Sequence, residues 1–270
     1  MRAGGRLYVL RRFGAWLGAE DGPAWELEVV ERLAAVGLPV PAPVTPPRMV
    51  DGAMHVLMPW LPGRALGVTG GTEAVYRDLG RRLADYHAVV ATLPTPPQRP
   101  GWTSQVDSAL PLEGGRARRA ELLWHLTQAD PDLGARFTAA AEALEARDLP
   151  TVFASSRRLL VHGDFSPWNL RVRGGKLTAL LDFEMAHVDV RAADLAYARR
   201  GYHDAVVTGY LERADLPAVE LAALDGLWIA GILRGLWRVL ENRIEERSEL
   251  AYGLGWDVEQ LGKTRGYVGG

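Results

Sequence analysis

The 270-residue sequence contains no cysteine, which excludes a disulfide framework and any thiolate metal site. It has six histidines, and no two of them fall at the spacing of a helical zinc motif. The N-terminus lacks the apolar stretch of a signal peptide. The most hydrophobic window, Leu221 to Leu240, is interrupted by Asp225, Arg234 and Arg238, so it reads as a buried helix rather than a membrane span. Charge of one sign is not in excess: 31 Lys and Arg stand against 33 Asp and Glu, a formal net charge of -2. That balance gives no global reason to expect nucleic acid or an anionic membrane as partner. No internal repeat is present. Together these absences predict a soluble, cytoplasmic protein.

What is present is a globular composition, 48% hydrophobic and 24% charged, in a chain long enough for two lobes or one large domain. Arg6 to Phe13 alternates as a strand, with Leu7, Val9, Arg11 and Phe13 on one face. Pro23 opens a helix whose apolar stripe is Trp25, Val29, Leu33 and Val36, and Gly37 ends it. A Pro-rich connector follows and leads into a strand over Met54 to Trp60. Glu73 to Leu93 carries Val75, Leu79, Leu83, Tyr86 and Val90 at helical spacing. His87 lies near that stripe and reads as a packing residue. Two Ala- and Leu-rich helical segments follow, at Ala117 to Ala129 and Asp132 to Arg147. A long helix or broken pair runs from Pro217 to about Arg247, and the tail from Gly262 is expected to fray.

The chemically interpretable residues cluster in Leu159 to Ala196. An apolar run, Leu159 to Val161, ends in His162-Gly163-Asp164. After a Ser-Pro break, Leu170 to Arg173 and Lys176 to Leu181 form two alternating runs separated by Gly174-Gly175, which suits a two-residue primed turn. With Arg173 opposite Lys176, Asn169 falls opposite Leu180, and Asp182 is one diagonal step away. This register puts Leu177, Ala179 and Leu181 on one face. Asp164 lies on the loop entering the same hairpin. Two carboxylates and an amide oxygen therefore converge, a donor set that suits a hard cation such as Mg2+. The spacing of Asp164 and Asn169 is that of a kinase catalytic loop, in which the Asp accepts the proton of the attacking hydroxyl and the Asn holds a metal ion.

The ordered set HGDFSPWN, LLDFE and DLA resembles the aminoglycoside phosphotransferase family, the small-molecule branch of the protein-kinase-like fold. The resemblance implies an α+β, two-lobed architecture: a small N-terminal β-sheet lobe over residues 1–60, which binds nucleotide, and a larger, mainly helical lobe over 61–270. It implies ATP and Mg2+ as cofactors and a small-molecule hydroxyl as acceptor, whether of an aminoglycoside, a sugar, a choline-like alcohol or homoserine. Asp164 is then the catalytic base, and Asn169 and Asp182 are the metal ligands. His162 and Asp194 support the loop, although as a residue alone Asp194 is equally a favourable helix N-terminal carboxylate.

The family places the phosphate-contacting base at Arg11 and its acidic helix partner at Glu26. On residue type alone the two are as readily a strand-edge charge and a solvated helix residue. Met58 and Trp60 match the hinge that meets adenine, but Pro59 between them has no N–H to donate. Glu241, Glu245 and Glu249 form a stripe suited to a cationic acceptor, although Arg243 and Arg247 beside it make a solvated face the commoner reading. An aminoglycoside acceptor would require carboxylates beside Asp164.

One feature departs from the family. The two strands and Gly-rich loop that normally precede the strand of Arg11 are not in the sequence. Arg6 to Phe13 is thus expected as a sheet edge with nothing before it. Either the reading frame extends upstream by roughly the thirty residues of a strand hairpin, or the protein binds ATP in an open cleft. A non-catalytic nucleotide-binding regulator is the alternative in that case.

Overall fold

The computed structural model describes residues 1–13, 21–68, 71–201, 203–244 and 259–261. Of the acidic stripe, Glu245 and Glu249 lie outside the described residues, as does the tail from Gly262.

The chain begins in a two-residue strand, β1 (Arg2–Ala3), which turns through Gly4-Gly5 onto β2 (Arg6–Arg12). Both glycines have positive φ, the backbone that a primed turn needs. The expected bare edge is therefore corrected in part, because β1 pairs with the start of β2 through Arg2↔Leu7 and Ala3↔Arg6. So short a strand shields little, and Val9 and Leu10 remain exposed. On its other side β2 pairs antiparallel with β4 (Ala53–Pro59), which also pairs with β3 (Arg48–Val50).

Behind the sheet lies α1 (Gly22–Ala35), with Pro23 in its first turn. Its Leu27 joins Phe13, Val56 and Met58 in a small core of the N-terminal sheet, whereas Trp25, Val29, Val30 and Leu33 belong to the main core. The helix thus serves both cores. Val36, expected in its buried stripe, caps the C-terminus and is exposed. The Pro-rich connector then runs against the later hairpin, where the Pro39 carbonyl accepts from the Leu180 N–H at 2.8 Å.

Beyond β5 (Arg64–Ala65), the remainder is mainly helical: α2 (Glu73–Val90), α3 (Gly115–Ala129), α4 (Pro131–Ala146), α5 (Leu149–Val152), α6 (Arg191–Arg199), α7 (Asp204–Leu211), α8 (Ala218–Ala222) and α9 (Leu224–Ile244). The break between α8 and α9 resolves the expected broken pair, and the apolar window buries Trp228, Ile232, Leu233 and Leu236. No helix among the described residues is long and apolar enough to cross a membrane. Between α5 and α6 the chain forms β6 (Arg158–Val161), β7 (Leu170–Arg173), β8 (Lys176–Leu180) and β9 (His187–Val190). β6 pairs with β9, while β7 lies between β5 and β8.

The hairpin register is as expected at the turn, where Arg173 faces Lys176 and Val172 faces Leu177. It then shifts, so that Arg171 faces Ala179 and Leu170 faces Leu180. Thr178 is the extra residue of this bulge, and its hydroxyl is held by the Pro62 carbonyl. Two expectations change as a result. Leu180 rather than Leu181 is fully buried, and Asn169 meets Leu181, whose N–H donates to its carbonyl at 2.9 Å. The shift leaves Asp182 adjacent to the Asn169 partner.

Candidate active site

β6 delivers the His162-Gly163-Asp164 loop from the core, and one buried carboxylate holds it in place. Asp194, in the first turn of α6 and fully buried, accepts from the His162 N–H at 2.8 Å and the Gly163 N–H at 2.9 Å. Burial pulls its carboxyl up, but His87, whose Nε2 lies 3.2 Å away, and then His162 hold it below the usual range. His87 is a satisfied buried histidine, since its Nδ1 also meets the Tyr210 hydroxyl at 2.9 Å. His162 is buried too. Its Nε2 donates to the Leu181 carbonyl at 3.0 Å, and its Nδ1 accepts the Asp164 N–H at 3.3 Å.

Gly163 occupies the position where a protein kinase carries Arg, and local geometry demands it. Its φ is +78°, and a Cβ there would lie 2.1 Å from the Met185 carbonyl oxygen. Any side chain would push the loop off the 3-10 turn at Phe183–Met185.

Asp164 is held from two sides. Asn169 Nδ2 donates to its Oδ2 at 3.0 Å and to its backbone carbonyl at 3.0 Å, while Arg200 Nη2 donates to Oδ1 at 3.1 Å. Burial pushes the Asp164 carboxyl up, and the Arg200 guanidinium opposes it. Asn169 thereby commits its N–H groups to Asp164 and keeps Oδ1 for another partner. Asp182 follows β8 at φ +67°, a strained backbone for a non-glycine residue. Its side chain is 42% exposed, with Arg11 Nη2 4.0 Å away.

Arg11 and Glu26, from separate elements, meet here: Nη1 lies 2.6 Å from Oε1. Arg11 Nη2 is also 3.5 Å from Glu184. Glu26 is 1% exposed, so burial raises its carboxyl despite Arg11 and Arg99. Glu184 is pushed to about 7 by burial and then by the Asp182 charge. Carboxylates thus crowd a small volume beyond what Arg11 neutralises, the condition in which a cation is favoured. Among the described residues no three His, Asp or Glu side chains converge as a metal cage. Two oxygen donors, Asn169 Oδ1 and Asp182, nevertheless match magnesium, which completes its shell with phosphate and water. The residues fit that ion.

Met58 and Trp60 line a cleft of about 230 Å³ together with Val9, Arg11, Leu61 and Asp182. Met58 is buried and Trp60 exposed. The Trp60 N–H donates to the Leu7 carbonyl at 3.0 Å, so this amide is committed to the sheet.

Sequence reasoning missed two arginines. Arg200 caps α6 in a left-handed conformation and lies over Trp168, 4.7 Å from the ring centre. No motif marks it. Arg99, in the Pro-rich stretch that follows α2, is 2% exposed between Trp25 and Trp102. Its Nη2 is 3.6 Å from Glu26, and its Nη1 donates to the Phe183 and Ala186 carbonyls at 3.3 Å each. It ties α1 to the turn that follows Asp182. The signal for it was a lone Arg amid prolines, which is indistinguishable from a surface charge.

Comparison with known proteins gives both sequence relatives and a shared fold. An uncharacterized protein of Deinococcus radiodurans is 31% identical over 96% of this chain and 80% of its own length. A homoserine kinase of Methylobacterium radiotolerans is 27% identical over 84% of this chain and 71% of its own. Among solved structures, aminoglycoside phosphotransferase APH(4)-Ia in complex with ADP and hygromycin B superposes with a TM-score of 0.63 at 19% identity, covering 98% of this chain and 89% of that one. A microcompartment-associated aminopropanol kinase superposes with a TM-score of 0.62 at 18% identity, covering 96% and 84%. These likenesses identify the fold as protein-kinase-like. The profile of the phosphotransferase enzyme family matches residues 2–228, a span that holds every site residue above, and the chain belongs to that family.

Proposed function

We propose that this small-molecule phosphotransferase moves the γ-phosphoryl group of ATP onto an acceptor hydroxyl positioned by Asp164. The observation that carries the assignment is the Asp164 carboxylate, partly exposed yet held by Asn169 and Arg200 on a loop that Asp194 pins. A base so fixed orients the hydroxyl and takes its proton as the bond to phosphorus forms. Arg11, anchored by Glu26, reaches the phosphates as a fork rather than a point charge. Asn169 and Asp182 would hold Mg2+, which when bound offsets phosphate charge. The cleft between Met58 and Trp60 takes the base, and with the Trp60 amide committed, carbonyls and apolar contact carry that recognition. The N-terminal lobe up to about residue 60 is the nucleotide-binding part, and the remainder is catalytic and acceptor-binding.

The charge beside Asp164 bears on the acceptor. Arg200 is the cationic side chain in contact with Asp164, and a guanidinium there favours an uncharged or carboxylate-bearing alcohol over an aminoglycoside polycation. Homoserine is such an alcohol. ATP consumption by purified protein, measured against homoserine, amino alcohols, sugars, choline and aminoglycosides, tests the reading. Turnover with a small alcohol that is lost in Asp164→Asn supports it. Nucleotide binding with no consumption by any acceptor favours the regulator reading instead.

A further inference from the structure

A second cavity, of about 470 Å³, shares no residue with the nucleotide cleft. Its walls come from α2, the segment before β6, the start of α6, the end of α7 and α8. Three arginines line it: Arg157, Arg191 and Arg213. The arginines of α2 are paired, Arg77 and Arg81 with Glu212 and Arg82 with Asp78. Here, among the described residues, Arg157, Arg191 and Arg213 have no carboxylate partner. The N-terminus of α6 opens on the same space, and Val190 gives it no side-chain cap.

The opposite charge is also present. Like Asp85 of α2, Glu220 lines the cavity, and it is 7% exposed. Its Oε1 accepts from the Ser156 hydroxyl at 2.8 Å, while its buried Oε2 has no hydrogen-bond partner. A buried acceptor left unmet costs free energy that a ligand donor would recover. An oxyanion alone would satisfy the guanidiniums but leave Oε2 beside a like charge. A cation alone would do the reverse. A ligand carrying both charges a few bonds apart satisfies both walls.

We infer that this cavity is a binding site for an α-amino acid, with the carboxylate on the arginines and the α6 N-terminus and the ammonium on Glu220. The volume lies in the range of small-ligand sites. The site also has a route to the chemistry. Tyr210 meets His87 Nδ1 at 2.9 Å, His87 Nε2 meets Asp194 Oδ2 at 3.2 Å, and Asp194 holds the His162 and Gly163 N–H groups. Arg191 and Tyr210 both line the cavity, so a carboxylate bound at Arg191 lies beside the first member of this chain. Occupancy thereby changes the support of the catalytic loop, and the amino acid acts as an effector rather than a substrate.

Isothermal titration of the full chain with glycine, L-alanine, L-aspartate and L-glutamate tests this, because none of these has a hydroxyl to accept phosphoryl. Saturable binding is expected. An Arg157→Gln/Arg213→Gln double variant should weaken it at least tenfold with unchanged thermal stability and unchanged basal turnover. Glu220→Gln should remove the preference for an amino acid over its deaminated carboxylate. Since binding is read by heat, failure of the phosphotransferase reading would leave this result standing. No binding at millimolar concentration, binding of inorganic phosphate alone, or equal affinity in the double variant would each overturn the inference.

Discussion

Arg200 donates from Nη2 to Oδ1 of Asp164 at 3.1 Å, on the side opposite the Asn169 amide. The two donors leave the carboxylate one orientation, so the proposed base is aimed by a residue outside every motif. Arg200→Gln should lower turnover about ten- to a hundredfold, the worth of a hydrogen bond to a charged group. A calorimetric nucleotide titration should change little. Equal loss of nucleotide affinity would place Arg200 in the ATP site instead.

Asp164→Asn keeps the size and most of the bonding of the side chain but removes the proton acceptor. The expected loss is about a hundred- to ten-thousandfold in rate, with thermal stability and nucleotide affinity close to wild type. Wild-type turnover would remove Asp164 from the role.

Asp182→Ala should abolish the magnesium dependence of nucleotide binding, because it deletes the carboxylate of the pair that fits the ion. Nucleotide titrated with and without Mg2+ reads this directly. A full magnesium effect in the variant would assign the ion to other residues.

Gly163→Ala combines a left-handed φ with a contact to Met185 far inside van der Waals distance. The φ alone costs about 1–2 kcal/mol, and the clash adds to it. Urea unfolding should show a loss above about 2 kcal/mol, whereas a neutral result would mean that the loop relaxes freely.

His187 is fully buried, and its Nδ1 donates to the Met185 carbonyl at 2.8 Å while Nε2 accepts from Arg234 at 2.8 Å. Burial and then the Arg234 charge hold its pKa below 6.5. The unfolded chain therefore takes up a proton below about pH 6.5 that the folded chain refuses. Stability is full above that value and falls as pH drops beneath it, by at most about 1.4 kcal/mol per pH unit. Urea unfolding at about pH 7.5 and 5.5 should show a smaller difference in His187→Gln. Equal differences would remove His187 as the cause.

Much of this protein is legible in one dimension. Alternation specified β2 and β4, helical spacing specified α1 and α2, and Gly174-Gly175 set the hairpin turn. These signals are local, since each depends on residues within a few positions of one another. The ordered HGD, N, DFE and DLA residues likewise marked Asp164, Asn169, Asp182 and Asp194, because a short hairpin constrains the first three and the fourth follows within one strand and a helical turn. Contacts between distant segments left no such trace. The Thr178 bulge depends on Pro62, more than a hundred residues earlier, and no alternation within β8 reports it. Arg99 and Arg200 read as ordinary surface charges until tertiary packing buries one between two tryptophans and lays the other across Trp168 onto Asp164. The sequence by itself determined the local elements and the residue types of the site. Only the tertiary structure decided which charges meet, because Coulomb and hydrogen-bond energies depend on separation in space and on burial, and the chain order encodes neither.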